Sequence, residues 1–191
     1  MLQETTPDVA VARKPRFATV WLGGCAGCHM SFLDIDEWLI DLVGLVDVVY
    51  TPIADIKEFP EAVDLVLVEG AIANEDNHNM AIKLRERSRI VIAFGDCAVT
   101  GNVTAMRNPI GTANAILKSC YVDPGDLNAQ IPNEPGIVPV LLDRVQPLHE
   151  VIHVDKYIHG CPPSGPQIRA ALEAILADHY ATPEASAVKF G

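Results

Sequence analysis

Positive charge is scarce in this chain. Its 191 residues hold 14 Lys and Arg against 25 Asp and Glu, a formal net charge of −11. Nucleic-acid binding needs clustered basic side chains to displace counterions, and an anionic membrane surface attracts only basic segments. Both partner classes are excluded. Also lacking is any apolar run near the roughly 18 residues that a membrane helix requires, so direct membrane insertion is not expected. Residues 1–15 hold no apolar stretch of signal-peptide length, and Arg13-Lys14-Pro15-Arg16 has no twin arginine. The expected location is cytoplasmic. Internal repeats and low-complexity segments are missing as well.

What is present is apolar. Such residues make up 49% of the chain, and the mean hydropathy is +0.20 despite the acidity. With no membrane helix to take it, this surplus has to enter a buried sheet, a subunit interface, or both; both are expected. The length suffices for one domain with a real core.

The patterning predicts alternating strands and helices. Residues 17–22 read as a strand ending at Gly23-Gly24, followed by a helix over 26–43 with Phe32, Ile35, Leu39 and Leu42 at helical spacing. Strands follow at 46–51, 63–68 and 89–94, the second apolar but for Asp64 and suited to burial on both faces, the third a further buried strand. Asn74 caps a helix reaching Arg87, and a shorter helix covers 112–119. Residues 121–150, rich in Pro, Asn, Asp and Gly, read as an extended loop or docking arm. A last strand covers 153–158, and Ser164 caps a terminal helix. The order implies an α/β fold of flavodoxin-like, three-layer type with a mostly parallel sheet. The expected division is an N-terminal arm over 1–15, one domain over 16–180 and a tail over 181–191.

Four of the five cysteines fall where a parallel sheet would gather them. Cys25 and Cys28 form C-x-x-C at a strand-to-helix turn, while Cys97 and Cys161 each follow a strand beside glycine. A parallel sheet aligns the carboxyl ends of its strands along one edge, and ligands bind there. Glycine lets backbone approach an inorganic core closely and leaves N–H groups free for its sulfurs. Zinc ribbons use two local knuckles, but only one local pair exists here. The spacing therefore favours one iron–sulfur cluster at the carboxyl edge, with a Cys₄ zinc site and inert buried cysteines as the alternatives. Cys120 lacks this context and reads as a small buried or half-buried residue.

At these residues a family resemblance appears. Leu22-Gly23-Gly24-Cys25-Ala26-Gly27-Cys28 followed by Ser31-Phe32-Leu33-Asp34, then Glu69-Gly70, then Gly95-Asp96-Cys97-Ala98 with Gly101, then His159-Gly160-Cys161-Pro162-Pro163, resembles the small subunit of [NiFe] hydrogenases over residues 17–177. It is most similar to the Y-type small subunit of cytosolic NAD-reducing (bidirectional) hydrogenases. The resemblance implies one proximal [4Fe–4S] cluster with Cys25, Cys28, Cys97 and Cys161 as its metal ligands, and no catalytic residue on this chain. It implies a large subunit holding the nickel–iron centre, and diaphorase subunits with FMN, NAD and further iron–sulfur clusters. Longer members add a cysteine-rich domain with two more clusters; this chain stops after its terminal helix, so a single cluster is expected. The related subunit of NADH:quinone oxidoreductase has adjacent cysteines where this chain has C-x-x-C, so the connecting subunit of such a complex is the rival reading.

Other residues have plainer expectations. His29 either bonds a cluster sulfur or faces a partner or solvent, the latter being favoured. Glu69 reads as an acceptor for backbone N–H groups, with a part in proton movement as the alternative. Asp96 braces the turn at Cys97. Asp34, Asp36, Glu37 and Asp41 form a solvated or partner-facing side, Trp38 fills core or interface, and His78, His149, His153 and His179 show no metal spacing. The first turn carries a cysteine pair where a flavodoxin would cradle the phosphate of FMN, so a flavin on this chain is not expected.

Overall fold

The computed structural model describes residues 13–125 and 127–180, without the side chains of His179 and Tyr180. Most of the expected arm and the whole tail lie outside the described residues.

Five parallel strands form the central sheet: β1 (Arg16–Trp21), β2 (Asp47–Tyr50), β3 (Val63–Glu69), β5 (Ser88–Phe94) and β7 (Lys156–Ile158), in the order β2-β1-β3-β5-β7. That is the doubly wound flavodoxin order, in which the connections diverge on either side of the β1/β3 boundary.

Alternation along the strands divides the core in two. Ala18, Val20, Val66, Val68, Val91 and Ala93 point to one face, where they meet Ala81 and Leu84 of α3 (Glu75–Arg87) and Leu148. Phe17, Leu65, Leu67, Ile90, Ile92 and Phe94 point to the other. There they meet Trp38 and Leu42 of α2 (Trp38–Leu45) and Ile168 and Leu172 of α7 (Gly165–Tyr180). Leu65, Val66, Leu67 and Val68 are wholly buried, and each such side chain contributes about 1.5–3 kcal/mol.

The single helix expected over 26–43 is two. Helix α1 (Gly27–Leu33) ends at Asp34, Asp36 takes a left-handed φ of 54°, and α2 begins at Trp38. The break lies against α7: a Cβ on Gly165 would stand 3.2 Å from the Asp34 carbonyl, and the Ser31 hydroxyl donates to the Pro163 carbonyl at 2.5 Å. Aspartate tolerates the left-handed region better than most residues, so the acidic run supplies the bend. The acidic residues 34, 36, 37 and 41 are exposed, and Trp38 is core.

Residues 121–150 are not only a loop. Beyond α6 (Ala113–Tyr121), β6 (Leu141–Gln146) pairs antiparallel with β4 (Ile72–Asn74), and a 3₁₀ turn covers Leu148–Glu150. Side chains secure this second sheet. Asn108 bonds both the N–H and the carbonyl of Val145, at 2.8 and 2.9 Å, and Arg107 donates to the carbonyls of Ala73, Leu142 and Asp143. Such partners lie far away in sequence and leave no periodic trace.

The cap at Asn74 forms as expected, its side chain accepting from Asn77 N–H at 2.8 Å. At the other helix start, the Ser164 N–H and hydroxyl both donate to Gln167 Oε1 at 2.9 Å.

The last strand begins at Lys156 rather than at 153, because Asp155 joins β5 through its side chain. Its Oδ2 accepts from Val91 N–H at 2.8 Å and from Arg85 Nη1 at 2.6 Å. Desolvation works to raise this carboxyl, but the Val91 N–H, the Arg85 guanidinium and His153 outweigh it and hold it below its ordinary 3.8. A depressed acid contributes stability above its unfolded value and loses it as pH falls through the folded one. Asp155→Asn is therefore expected to cost about 1–2 kcal/mol at neutral pH and almost nothing below the folded value. Urea midpoints of both proteins, followed from neutral pH down through and below 3.8, trace the two limbs.

Candidate metal-cluster site

The switch point carries cysteine rather than a phosphate cradle. After β1 the chain runs through Gly23-Gly24-Cys25 into α1, and after β3 it runs through Glu69-Gly70. These loops lock together: Gly23 N–H donates to Ala71 O at 2.9 Å and Ala71 N–H returns to Gly23 O at 2.7 Å. Only glycine fits there. Gly70 has φ +92°, and a Cβ on it would meet the Leu22 carbonyl carbon at 2.8 Å.

Cys25 is exposed in the turn, Cys28 is buried in α1, Cys97 is buried in the first turn of α4 (Asp96–Thr100), and Cys161 is exposed just after β7. The β5 and β7 loops are tied by Gly95 N–H to Ile158 O, Asp96 N–H to Gly160 O and Gly160 N–H to Asp96 Oδ1, each 2.8 Å. Asp96 thus braces its turn as expected, by joining the Cys97 loop to the Cys161 loop.

The thiols feel one another. Burial, then the negative charge of Glu69, Cys97, Cys25 and Cys161, pushes the Cys28 thiol up to about 12. Cys97 is raised too, by burial first, with Cys161 and Cys25 adding to it. A Thr104 side-chain hydrogen bond and the Val103 N–H act in the opposite direction. The Thr104 hydroxyl also lies 3.0 Å from the Gly23 carbonyl, one proton facing two acceptors. Asn102 opens the short helix α5 (Asn102–Ala105) with φ 32° and donates its amide to Cys161 Sγ at 3.2 Å.

The donor set fits an iron–sulfur core. Sulfur ligands come with N–H donors aimed at them, which offset the negative charge of such a core. A Cβ on Gly95 would stand 2.1 Å from Cys28 Sγ, so the backbone there leaves room for sulfur alone. Among the described residues, no three His, Cys, Asp or Glu side chains are gathered closely enough to hold one metal ion.

Two expectations fail beside the site. Cys120 is exposed, not buried. His29 does not face solvent: it is 2% exposed, its Nδ1 meets Glu69 Oε2, and its ring stands edge-on to Trp21 and Phe94. Glu69 does accept backbone N–H groups, from Cys28 at 3.3 Å and His29 at 2.9 Å. The inward histidine could have been read from Glu69 itself, because a charge ending a buried strand needs a buried partner. Of the scattered histidines, His153 Nε2 lies 3.5 Å from Asp155 and His149 packs on Tyr157; the His179 side chain lies outside the described residues.

Fold and site together define the class: a doubly wound α/β domain whose switch point presents thiols. A family model described as the NADH ubiquinone oxidoreductase 20 Kd subunit matches residues 25–175. The NAD-reducing hydrogenase HoxS subunit delta of Cupriavidus necator is 38% identical over 92% of this chain and 87% of its own length. A subunit of the F420-non-reducing hydrogenase of Methanothermobacter thermautotrophicus is also 38% identical, over 87% of this chain, but the chain spans only 54% of that relative. A solved chain of an NAD⁺-reducing [NiFe]-hydrogenase superposes with a TM-score of 0.83 at 35% identity, covering 94% of this chain and 100% of that one. The chain belongs to the 20-kDa-subunit family and, within it, to the small subunits of hydrogenases. Among the described residues no helix is long and apolar enough to cross a membrane.

Proposed function

We propose that this chain is the electron-transfer small subunit of a cytoplasmic NAD-reducing [NiFe] hydrogenase, with one [4Fe–4S] cluster held by Cys25, Cys28, Cys97 and Cys161. The observation that supports this is that the four cysteines stand on turns at one edge of the sheet, with the Cys97 and Cys161 loops hydrogen-bonded together and Cys28 Sγ packed against Gly95 between them. The likeness to NAD-reducing hydrogenase subunits over nearly the whole chain supports the same reading.

When bound, such a cluster takes up and releases one electron at a time. The residues present do the rest. Asn102 and the Val103 N–H donate to ligand sulfurs, Gly95 clears space for Cys28, and Asp96 keeps Cys97 and Cys161 in register. Trp21, Met30 and Leu33 flank the site with large apolar surface exposed. They suit the docking of a large subunit carrying the nickel–iron centre. Diaphorase subunits with FMN, NAD and further clusters complete the proposed path.

Iron, zinc and acid-labile sulfide in this chain, separated anaerobically from its partners, test the assignment, with the visible spectrum of the same sample as a second reading. About four iron and four sulfide per chain, with a broad thiolate-to-iron band, are expected. Stoichiometric zinc without sulfide would overturn it.

A further inference from the structure

Helix α1 has no cap of its own. Its N-cap, Ala26, sits in the left-handed region with φ 65° and offers no side chain to the free N–H groups of the first turn. The missing acceptor comes from another strand. Glu69, the last residue of β3, takes the Cys28 N–H on Oε1 and the His29 N–H on Oε2, and its Oε2 also meets His29 Nδ1. Glu69 and His29 are each 2% exposed. The other ring nitrogen, Nε2, has no partner among the described residues, and the ring is otherwise packed against Trp21 and Phe94. Glu69 is therefore the polar tether that holds both the ring and the start of the helix.

We propose that Glu69, acting through His29, is a positioning residue for the cluster site: it caps α1 from across the sheet, aims Cys28 at the other three cysteines, and keeps a buried acidic group beside the cluster that lowers its reduction potential. The last part rests on the cluster assignment above; the cap does not.

The geometry explains why this is more than a helix cap. A side chain on α1 or its own turn could satisfy these N–H groups without regard to the sheet. A carboxylate at the carboxyl end of β3 does so only when β1 and β3 are paired and the Gly23–Ala71 bridge is closed. The C-x-x-C turn is thereby registered to the same edge that carries Cys97 and Cys161. Burial gives the arrangement its weight, because hydrogen bonds and charge act strongly where water is excluded.

Two variants and two readouts test this in the assembled complex. Glu69→Ala removes both acceptors, whereas Glu69→Gln keeps one acceptor oxygen and deletes the acidic group. Hydrogen exchange at the Cys28 and His29 amides reads the cap without reference to the cluster. It is expected to quicken by about 10-fold or more in Glu69→Ala, and by less in Glu69→Gln, as the cap is lost or weakened. Redox titration followed by electron paramagnetic resonance reads the second part: the midpoint potential of this chain's signal, the one lost in Cys97→Ala, is expected to rise in Glu69→Gln while the signal itself is retained. A purely structural residue would leave that potential in place once the cluster is bound. Should Glu69→Ala fail to fold, Glu69→Gln carries both readings. Unchanged amide exchange, or an unchanged potential in iron-replete Glu69→Gln, would overturn the corresponding part. Wild-type complex without iron in this chain would instead refute the cluster assignment, and the exchange experiment would still judge the cap.

Discussion

Gly95→Ala is expected to unseat Cys28 and, with the proposed cluster in place, to strip this chain of most of its iron. Two costs combine at this position. Gly95 holds φ +82° with ψ 161°, an extended positive-φ conformation that is essentially glycine's alone and costs an L-residue about 1–3 kcal/mol. The added Cβ would stand 2.1 Å from Cys28 Sγ, far inside contact distance. That sulfur cannot simply swing away, because Cys28 is buried and its N–H is held by Glu69. Forcing a buried group aside costs about a further 1–3 kcal/mol. Together these are a large share of the roughly 5–15 kcal/mol that hold an ordinary domain folded. Urea unfolding should register the loss, and retained iron should fall about 10–100-fold, the range seen when groups supporting metal ligands are removed. Gly44→Ala is the control. A Cβ there meets nothing within 4 Å, and within α2 the exchange favours the helix by up to about 1 kcal/mol. Equal behaviour of the two variants would mean that Gly95 does not make room for sulfur.

The sheet was legible in the sequence because burial on both faces leaves a plain signature. Leu65 to Val68 and Ile90 to Phe94 are unbroken apolar runs, and parallel central strands require them. The four cysteines stood out for a related reason: each lies in or just beyond a glycine-bearing turn that follows a strand, and the parallel topology carries those turns to one edge of the sheet. The break at Asp36 was not legible, since Phe32, Ile35, Leu39 and Leu42 keep helical spacing across it. Asp36 makes the turn, and the close approach of Gly165, which the break accommodates, comes from the last helix. Strands β4 and β6 were hidden because their pairing depends on Arg107 and Asn108. His29 shows the same limit at the site. Its partner lies 40 residues away in sequence, and nothing near His29 announces a buried carboxylate. Cys120 erred the other way, since a tendency of cysteine to be buried says nothing about which side of α6 this one occupies. Local periodicity thus carried the strands, while long-range polar contacts decided turns, second sheet and brace.

Cys97→Ala is expected to abolish the cluster, and Cys120→Ala to leave it whole. The contrast separates ligand from bystander in one chain. Cys97 is buried at the start of α4, where the Val103 N–H and the Thr104 hydroxyl face its sulfur and the charges of Cys161 and Cys25 reach it. Removing that sulfur leaves three thiols for a core that needs four. Cys120 is exposed on α6, whose last turn it shares with Lys118. Truncating either side chain removes a single heavy atom, which costs at most about 1 kcal/mol in packing. Both variants should therefore fold, with unchanged far-ultraviolet circular dichroism, so that lost iron cannot be blamed on lost structure. If the chain serves the proposed relay, Cys97→Ala should also break the path from hydrogen to NAD⁺ in the assembled complex, while an artificial one-electron dye docking at the proposed large subunit keeps some hydrogen oxidation. Iron, sulfide and the two activities measured side by side decide it. If Cys120→Ala loses as much iron as Cys97→Ala, the sulfur that completes the site has been misassigned, and the burial and N–H contacts of Cys97 serve only to pack α4.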